Sequence, residues 1–287
     1  MHRFRELLMN ESGRLYIVAT PIGNLEDISH RAIRILSEAD LVAAEDTRHS
    51  QRLLQHYSIT TRLTSLHDHN ESQRATQLIE KLHLGENIAL ISDAGTPLIS
   101  DPGYGLVTQC RDAGIEVVPV PGACAAITAL CAAGLATDRF TFEGFLPVKA
   151  LAKQQALQRL VNESSTSVFY ESPRRVADTI KQIVNELGEE RPMVVAKELT
   201  KTFETFYSGT AQACLTWVEA DPNHQRGEFV LMIAGVVKDQ SEVTEEALNL
   251  LNLLMKELPL KKAAAVTAEQ YGLKKNHLYQ LGLELKS

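Results

Sequence analysis

Short strand-like runs alternate with helix-like runs almost without interruption up to residue 120, and this alternation limits the fold more than any other feature of the chain. Apolar runs at 15–19, 41–44, 63–66, 88–91 and 117–120 predict strands, and amphipathic patterns at 30–37, 50–57, 72–84 and 104–112 predict helices between them. Strands and helices in strict alternation build a mostly parallel sheet covered by helices, and such sheets hold ligands at the carboxyl ends of their strands. Here those ends run into glycine- and proline-rich loops: Thr20-Pro21-Ile22-Gly23-Asn24, the segment 92–103, and the segment 119–126.

Beyond Phe140 the pattern changes. Strand-like runs at 140–145, 167–170, 193–196, 203–207 and 228–234 accompany helical patterns at 150–161, 176–186 and 211–219, and several of these strands can be joined by hairpins. A mixed α/β second domain is expected. From Thr244 onward the pattern is helical, and 260–271, Gly272-Leu273 and 274–283 resemble a helix-turn-helix pair. The expected division is an N-terminal α/β domain at 14–122, a mixed α/β domain at 123–237 and a small helical tail at 243–287. A length of 287 residues suits about two domains before the tail, and 44% hydrophobic with 23% charged residues excludes the disordered class.

One uncharged stretch, 117–137, is apolar enough to invite a membrane reading. Pro119, Pro121 and Gly122 break its first part, and the helical remainder at 123–133 makes only about three turns, too few to cross a bilayer. A buried core helix and a soluble, cytoplasmic protein with no membrane contact are expected. The start of the chain is charged before its first apolar run, unlike a secretory signal. Cys110, Cys124, Cys131 and Cys214 form no C-x-x-C pair, and Cys124 and Cys131 lie one heptad apart; buried thiols in a reducing compartment are expected. The net charge of -7 argues against indiscriminate nucleic-acid binding, while Arg48, His49 and Arg52, the pair Arg174-Arg175, and the pair Lys274-Lys275 leave local basic faces.

In the segment 92–103, Asp101-Pro102 reads as a helix start, with Asp as N-cap and Pro at the first helical position. Asp101 would then occupy the helix terminus that a phosphate needs, and Asp93 adds a second negative charge. Gly95, and Ala94 nearly as well, let a ligand approach the backbone closely. A neutral or cationic ligand bonded to main chain is expected. The chain has neither G-x-G-x-x-G nor a Gly-Lys pair, so the ordinary dinucleotide and triphosphate loops are missing. The small residues of 119–126 serve either ligand contact or tight helix–sheet packing. His67-Asp68-His69-Asn70-Glu71 has no matching second cluster, so a loop-ordering or substrate-facing role is expected there rather than a metal.

The stretches "LYIVATPIGNLEDIS", "AAEDTRHS", "LISDAGTPLISDPG", "VPVPGACAAITAL", "FYESPRRV" and "AKELTKTFETFYSG" occur in this order. Over residues 14 to about 236 the chain resembles the tetrapyrrole methylase superfamily of S-adenosylmethionine-dependent methyltransferases. Within it the resemblance runs to the branch that methylates the ribose 2'-hydroxyl of a cytidine in small-subunit (16S) ribosomal RNA, and the helical tail is similar as well. The resemblance implies two α/β domains with S-adenosyl-L-methionine, a cation, in the cleft between them, and a homodimer. It implies cofactor contacts from Pro21 in the first loop and from Ser92, Asp93, Ala94, Ile99 and Ser100 in the second. Ala123 and Ala126 would contribute from the third loop, and Tyr170 and Glu171 from the second domain, beside Gly95. Tetrapyrrole-modifying relatives carry a multi-glycine first loop where this chain has only Gly23, which weighs against a tetrapyrrole substrate.

Transfer to a ribose hydroxyl requires alignment of the oxygen with the methyl group, and a base can take the proton. Glu45 or Asp46, after the second predicted strand, can be that base, although Asp46 or Thr47 reads equally as a helix N-cap. Lys197 is a third candidate, with a structural Lys197–Glu198 ion pair as the plainer alternative. Arg48, Arg52, Asn70, Arg174, Arg175 and Lys201 are the expected RNA contacts, solvated surface being the alternative for Arg174-Arg175. The RNA is met either free or within the 30S subunit. A tetrapyrrole or other small substrate, and a non-enzymatic nucleic-acid-binding protein acting through its tail, are the competing functions.

Overall fold

The computed structural model describes residues 12–67, 71–236, 243 and 245–285. The chain divides into two compact units, the first ending at Gly235 and the second beginning at Val236.

The first unit contains two five-stranded sheets. Strands β1 (Leu15–Val18), β2 (Leu41–Ala44), β3 (Leu63–Ser65), β4 (Ile88–Ile91) and β5 (Val117–Val120) form a parallel sheet in the order β3-β2-β4-β1-β5. Residues along β4 alternate between two cores. Ala89 and Ile91 face α1 (His30–Glu38) and α2 (Thr47–His56), while Ile88 and Leu90 face α3 (Glu71–His83) and α4 (Tyr104–Asp112). From β1 the chain moves toward β2, and from β4 it moves the opposite way toward β5. The loops leaving these two neighbouring strands therefore part from each other, which opens a crevice at their carboxyl ends. The loops are nevertheless stitched together: Thr20 N–H donates to Gly95 O at 2.8 Å and Gly95 N–H to Thr20 O at 3.0 Å.

α5 (Ala125–Ala132) carries the chain to the second sheet, where β6 (Phe140–Phe145), β7 (Thr166–Glu171), β8 (Pro192–Lys197), β9 (Thr205–Thr210) and β10 (Phe229–Ile233) take the order β6-β7-β10-β8-β9. Only β6 and β7 run parallel; the other pairs are antiparallel. One face packs on α6 (Ala150–Gln158), α7 (Val176–Leu187) and α8 (Ala211–Ala220). The opposite face packs on α5 and on Ile22 of the first loop.

Two expectations fail here. The uncharged 123–133 segment is not buried all round: Ala126, Ala129 and Leu130 are buried, but Ile127 and Cys131 are exposed, so α5 covers the sheet with a single face. Cys110 and Cys214 do lie in the cores, where burial pushes each thiol up to about 11. Nor does Asp101 cap α4. The N-cap is Gly103 at φ +125°, with Ser100 at φ +69° and Leu98 at φ +73° before it. This left-handed run holds 98–103 as an open loop, so Asp101 remains in it. Bulky residues rarely adopt such angles, and their strain collects at functional sites.

The second unit is a three-helix cluster of α9 (Glu245–Glu257), α10 (Leu260–Tyr271) and α11 (Lys275–Glu284), closed around Leu251, Ala263, Ala264 and Leu278. Gly272, at φ +64°, ends α10 in a left-handed cap. Among the described residues no helix is long and apolar enough to cross a membrane.

Candidate active site

The crevice at the ends of β1 and β4 continues into a cavity of about 490 Å³, closed on its other side by the second sheet. Its first-sheet wall is Ile22, Glu45 and the segment from Asp93 to Thr96, with Ile99, Ser100 and Asp101. The opposite wall is Phe145, Tyr170 to Pro173, Leu199 and Glu228 to Val230, with Ala125 from α5. Five acidic residues, Glu45, Asp93, Asp101, Glu171 and Glu228, border this one cavity with its apolar wall; Glu228 is ion-paired with Lys201, and the Glu171 carboxylate is buried behind the wall. That lining opposes an anion and suits a cation carrying apolar parts.

Most of the second loop lies where expected. Asp93, Ala94, Gly95, Ile99 and Ser100 line the cavity. Asp93 also fixes its rim: its Oδ1 accepts the Asp46 N–H at 3.0 Å, tying the loop after β2 to the loop after β4. Gly95 stands at φ +85°, and a Cβ there would lie 3.2 Å from Ile22 Cγ2. Its main chain is paired with Thr20, so it also shapes the wall. Ser92 is buried behind the wall, with its Oγ 3.4 Å from the carbonyls of Ala94 and Gly95.

Ala123 O accepts from Thr96 Oγ1 at 3.0 Å, and Ala126 N–H donates to Tyr170 Oη at 3.1 Å, so both residues tie elements together while Ala125 faces the cavity. A Cβ on Gly122 would lie 2.8 Å from Ala19 Cβ, which is tight packing. Pro21 faces a neighbouring hollow of about 340 Å³ with His49, Arg52 and His56.

Tyr170 and Glu171 are adjacent on β7 and therefore face opposite sides. Tyr170 turns to the cavity side, and burial raises its pKa. The Glu171 side chain is wholly buried on the other side, accepting from Ser172 N–H at 2.8 Å and Thr179 Oγ1 at 2.7 Å, with Arg175 Nε at 3.3 Å. Only its main chain is left to border the cavity. Arg175 is equally committed: its Nη2 donates to Leu146 O at 2.7 Å, so the expected phosphate contact is corrected to an internal tie, while Arg174 is exposed.

The three base candidates separate clearly. Glu45 lines the cavity. Asp46 is the N-cap of α2, its Oδ1 accepting from Arg48 N–H at 2.8 Å, and that bond holds its carboxyl below the ordinary value. Lys197 is buried and continues the alternation of Met193 and Val195, on the side of the sheet away from α5. The anticipated Lys197–Glu198 pair is replaced by Lys201, whose Nζ reaches Glu198 Oε1 and Glu228 Oε2 at 2.9 Å each. Lys201, expected on RNA, is held inside this cluster. Its stem explains Gly23, where a Cβ would lie 2.5 Å from Lys201 Cγ.

Of the remaining RNA candidates, Arg48 lines a polar hollow with Thr47, Gln51, Thr64 and Ser65, where it is joined by Arg74, a residue the sequence did not single out. Asn70 lies outside the described residues. Glu71 opens α3, and its Oε1 accepts the Leu106 N–H at 3.0 Å, a loop-ordering contact. Among the described residues no group of three or more His, Cys, Asp or Glu is placed to hold a metal ion.

Residues 14–214 match the family of tetrapyrrole (corrin/porphyrin) methylases. The ribosomal RNA small subunit methyltransferase I of Pasteurella multocida is 58% identical over 96% of this chain and 98% of its own length. That of Haemophilus influenzae is 57% identical over 95% and 97%. The chain belongs to the ribosomal RNA small subunit methyltransferase I family of tetrapyrrole methylases. As a member of a methylase family it is a methyltransferase, which removes the non-enzymatic alternative. Residues 241–286 match the C-terminal HTH domain of the same family, RsmI. The methyltransferase CobJ shares the fold at TM-score 0.58 and 18% identity, over 78% of this chain and 95% of its own. Uroporphyrin-III C-methyl transferase from Thermus thermophilus, complexed with S-adenyl homocysteine, shares it at TM-score 0.52 and 17% identity, over 77% and 97%.

Proposed function

We propose that this chain transfers a methyl group from S-adenosylmethionine to the ribose 2'-hydroxyl of a cytidine in small-subunit (16S) ribosomal RNA. The observation that carries the cofactor is the cavity itself, in which Glu45, Asp93 and Asp101 meet an apolar wall at the strand ends, in a chain with neither G-x-G-x-x-G nor a Gly-Lys pair. Asp93, Asp101 and the apolar Ile22, Leu199 and Val230 would hold the cofactor, a cation of suitable chemistry for that lining. When bound, the cofactor supplies a methyl group already activated by a sulfonium. The chain's task is then to exclude water and align the incoming oxygen. Glu45 is the carboxylate we assign to take the 2'-hydroxyl proton.

The relatives' name supports ribosomal RNA as the substrate, and the hollow containing Arg48 and Arg74 gives its backbone a place beside Glu45. Lys261, Lys262, Lys274 and Lys275 are exposed at the starts of α10 and α11, where the helix dipole disfavours cations, and they offer the second unit's phosphate contacts. We place the protein in the cytoplasm as a homodimer, working on RNA within the 30S subunit, and divide it at 14–122, 123–237 and 243–287.

The test is to supply the purified protein with labelled S-adenosylmethionine and either naked 16S RNA or 30S subunits, then map the label. A single 2'-O-methylcytidine is expected, and label on a base or on no RNA would overturn the substrate. Calorimetric titration with S-adenosylmethionine in the presence of a chelator should show undiminished binding, because no step assigned here uses a metal.

A further inference from the structure

β6 is an edge strand with a bulge, and the bulge decides where its last side chain points. Phe142 pairs with Val168, Gly144 with Phe169 and Phe145 with Tyr170, leaving Glu143 as the extra residue. In a regular strand, residues three apart face opposite sides of the sheet. Here the extra residue returns Phe145 to the face already occupied by Phe142. Both rings meet Tyr170 edge-on, at centroid distances of 4.9 and 5.7 Å. Gly144 makes the turn at φ +65° and lies against the second loop, where a Cβ would come within 3.2 Å of Ser100 Oγ. Bulges recur beside active sites, where they re-aim a side chain.

The side chain so aimed is left uncovered. Phe145 lines the cavity yet is 55% exposed, whereas Ile22, Leu199, Phe229 and Val230 on the same walls are 2–8% exposed. A small ligand within the cavity is enclosed by the buried part of the wall. A polymer must enter from solvent, and Phe145, with Ile99 at 37% exposure, is the apolar surface of the lining open to it. Unpaired nucleobases are recognised by stacking on aromatic faces of this kind.

We propose that Phe145 is the stacking platform for the nucleobase of the nucleotide being methylated, held at the cavity mouth by the Glu143–Gly144 bulge. This rests on the RNA-methylation reading above and adds to it the group that draws the target nucleotide out of its RNA.

The experiment is a cycle of two proteins and two substrates. Wild type and Phe145→Ala are each given 30S subunits containing either the intact target nucleotide or an abasic ribose at that position. Single-turnover methylation at subsaturating subunits is followed, with S-adenosylmethionine affinity measured separately by calorimetry. Phe145→Ala should lower the rate constant on intact RNA by roughly 5- to 150-fold, the worth of one base–aromatic stack. It should leave cofactor affinity within about twofold. On abasic substrate the two proteins should be equally slow, and Phe145→Trp should restore the intact-RNA rate. A further loss by Phe145→Ala on abasic RNA, or no loss on intact RNA, overturns the proposal. So does an equal loss of cofactor affinity, which would assign the ring to the adenine. Wild-type protein that methylates no RNA would fail at the earlier step, sinking the substrate assignment and this inference together.

Discussion

Glu45 and Asp46 are neighbours with the same functional group and different surroundings, which makes them a natural comparison. Asp46 spends its carboxylate on the Arg48 N–H, a bond that lowers its pKa and makes it a weaker base. Glu45 borders the cavity. Glu45→Gln is therefore expected to slow single-turnover methylation by about 10²–10⁴-fold with little change in RNA or cofactor affinity. Asp46→Asn should stay near the wild-type rate, since Asn caps a helix about as well as Asp. Parallel losses of rate and RNA affinity in Glu45→Gln would mean that alignment alone drives the reaction. Lys201 makes a second residue-scale case, in which pH is the probe. Burial opposes ionisation of Glu198, but the hydrogen bond from Lys201 and the Glu228 N–H outweigh it and hold the carboxyl below its usual value. Burial likewise opposes the charge on Lys201, and Glu228 with Glu198 raises its pKa in spite of it. The lowered carboxyl contributes stability above the unfolded value of about 4.3, lost as pH falls through its folded pKa; the raised lysine contributes below about 10.4, lost as pH rises through its folded pKa. Both contributions are whole at pH 7. Lys201→Met should cost about 1–3 kcal/mol there in denaturant unfolding, with the difference shrinking below about pH 4 as Glu198 is protonated. A cost that persists in acid would assign the effect to the stem packed over Gly23.

At the scale of elements, the loop after β4 shows how a short segment sets the site. Gly95 sits at φ +85° against Ile22, so Gly95→Ala should lose about 1–2 kcal/mol of stability from the left-handed backbone. Gly95→Val should in addition drive Ile22 into the cavity and abolish S-adenosylmethionine binding in calorimetry; full binding by the valine variant would remove Gly95 from the wall. The same loop marks the limit of what the sequence reveals. The first-sheet strands were legible because each is a short run set between helix-like patterns; β1, β4 and β5 also run into proline- or glycine-containing loops. The start of α4 at Tyr104 was legible too, but its cap was not. Asp101-Pro102 carries a helix-start signal, and nothing in composition announces that Leu98, Ser100 and Gly103 take left-handed angles that keep Asp101 in the loop. The second wall was less visible for a different reason. Leu199, Glu228, Phe229 and Val230 reach the cavity through antiparallel pairing of β8 and β10, partners distant in sequence whose register no local spacing encodes. The motif contains Tyr170 and Glu171 side by side. Strand alternation alone sends one side chain to the cavity and the other to Arg175. Phe145 is not legible in the sequence because its orientation depends on a bulge.

For the whole molecule the decisive quantity is where charge sits, because the net charge of -7 is unfavourable for a partner that is itself a polyanion. Binding RNA then requires local clusters, and their positions are informative. Arg48 stands in the first turn of α2, and Lys261 and Lys275 in the first turns of α10 and α11, where each works against its helix dipole. Residues that cost a helix stability at its own end are better explained by something outside the helix. If about three of these cations neutralise phosphates of a flexible strand, the logarithm of RNA affinity should fall with the logarithm of salt at a slope near -2, roughly a 20-fold loss for a fourfold rise in salt. S-adenosylmethionine carries no polyanion, so its affinity should scarcely change over the same range. Arg48→Ala should flatten the slope by about 0.7 without altering cofactor affinity. Methylation rates at subsaturating RNA between 50 and 200 mM salt, with parallel calorimetry for the cofactor, measure both slopes. A flat RNA profile in the wild-type protein would mean that these cations are solvated surface, and that the strand is held chiefly by stacking and by contacts within the cavity.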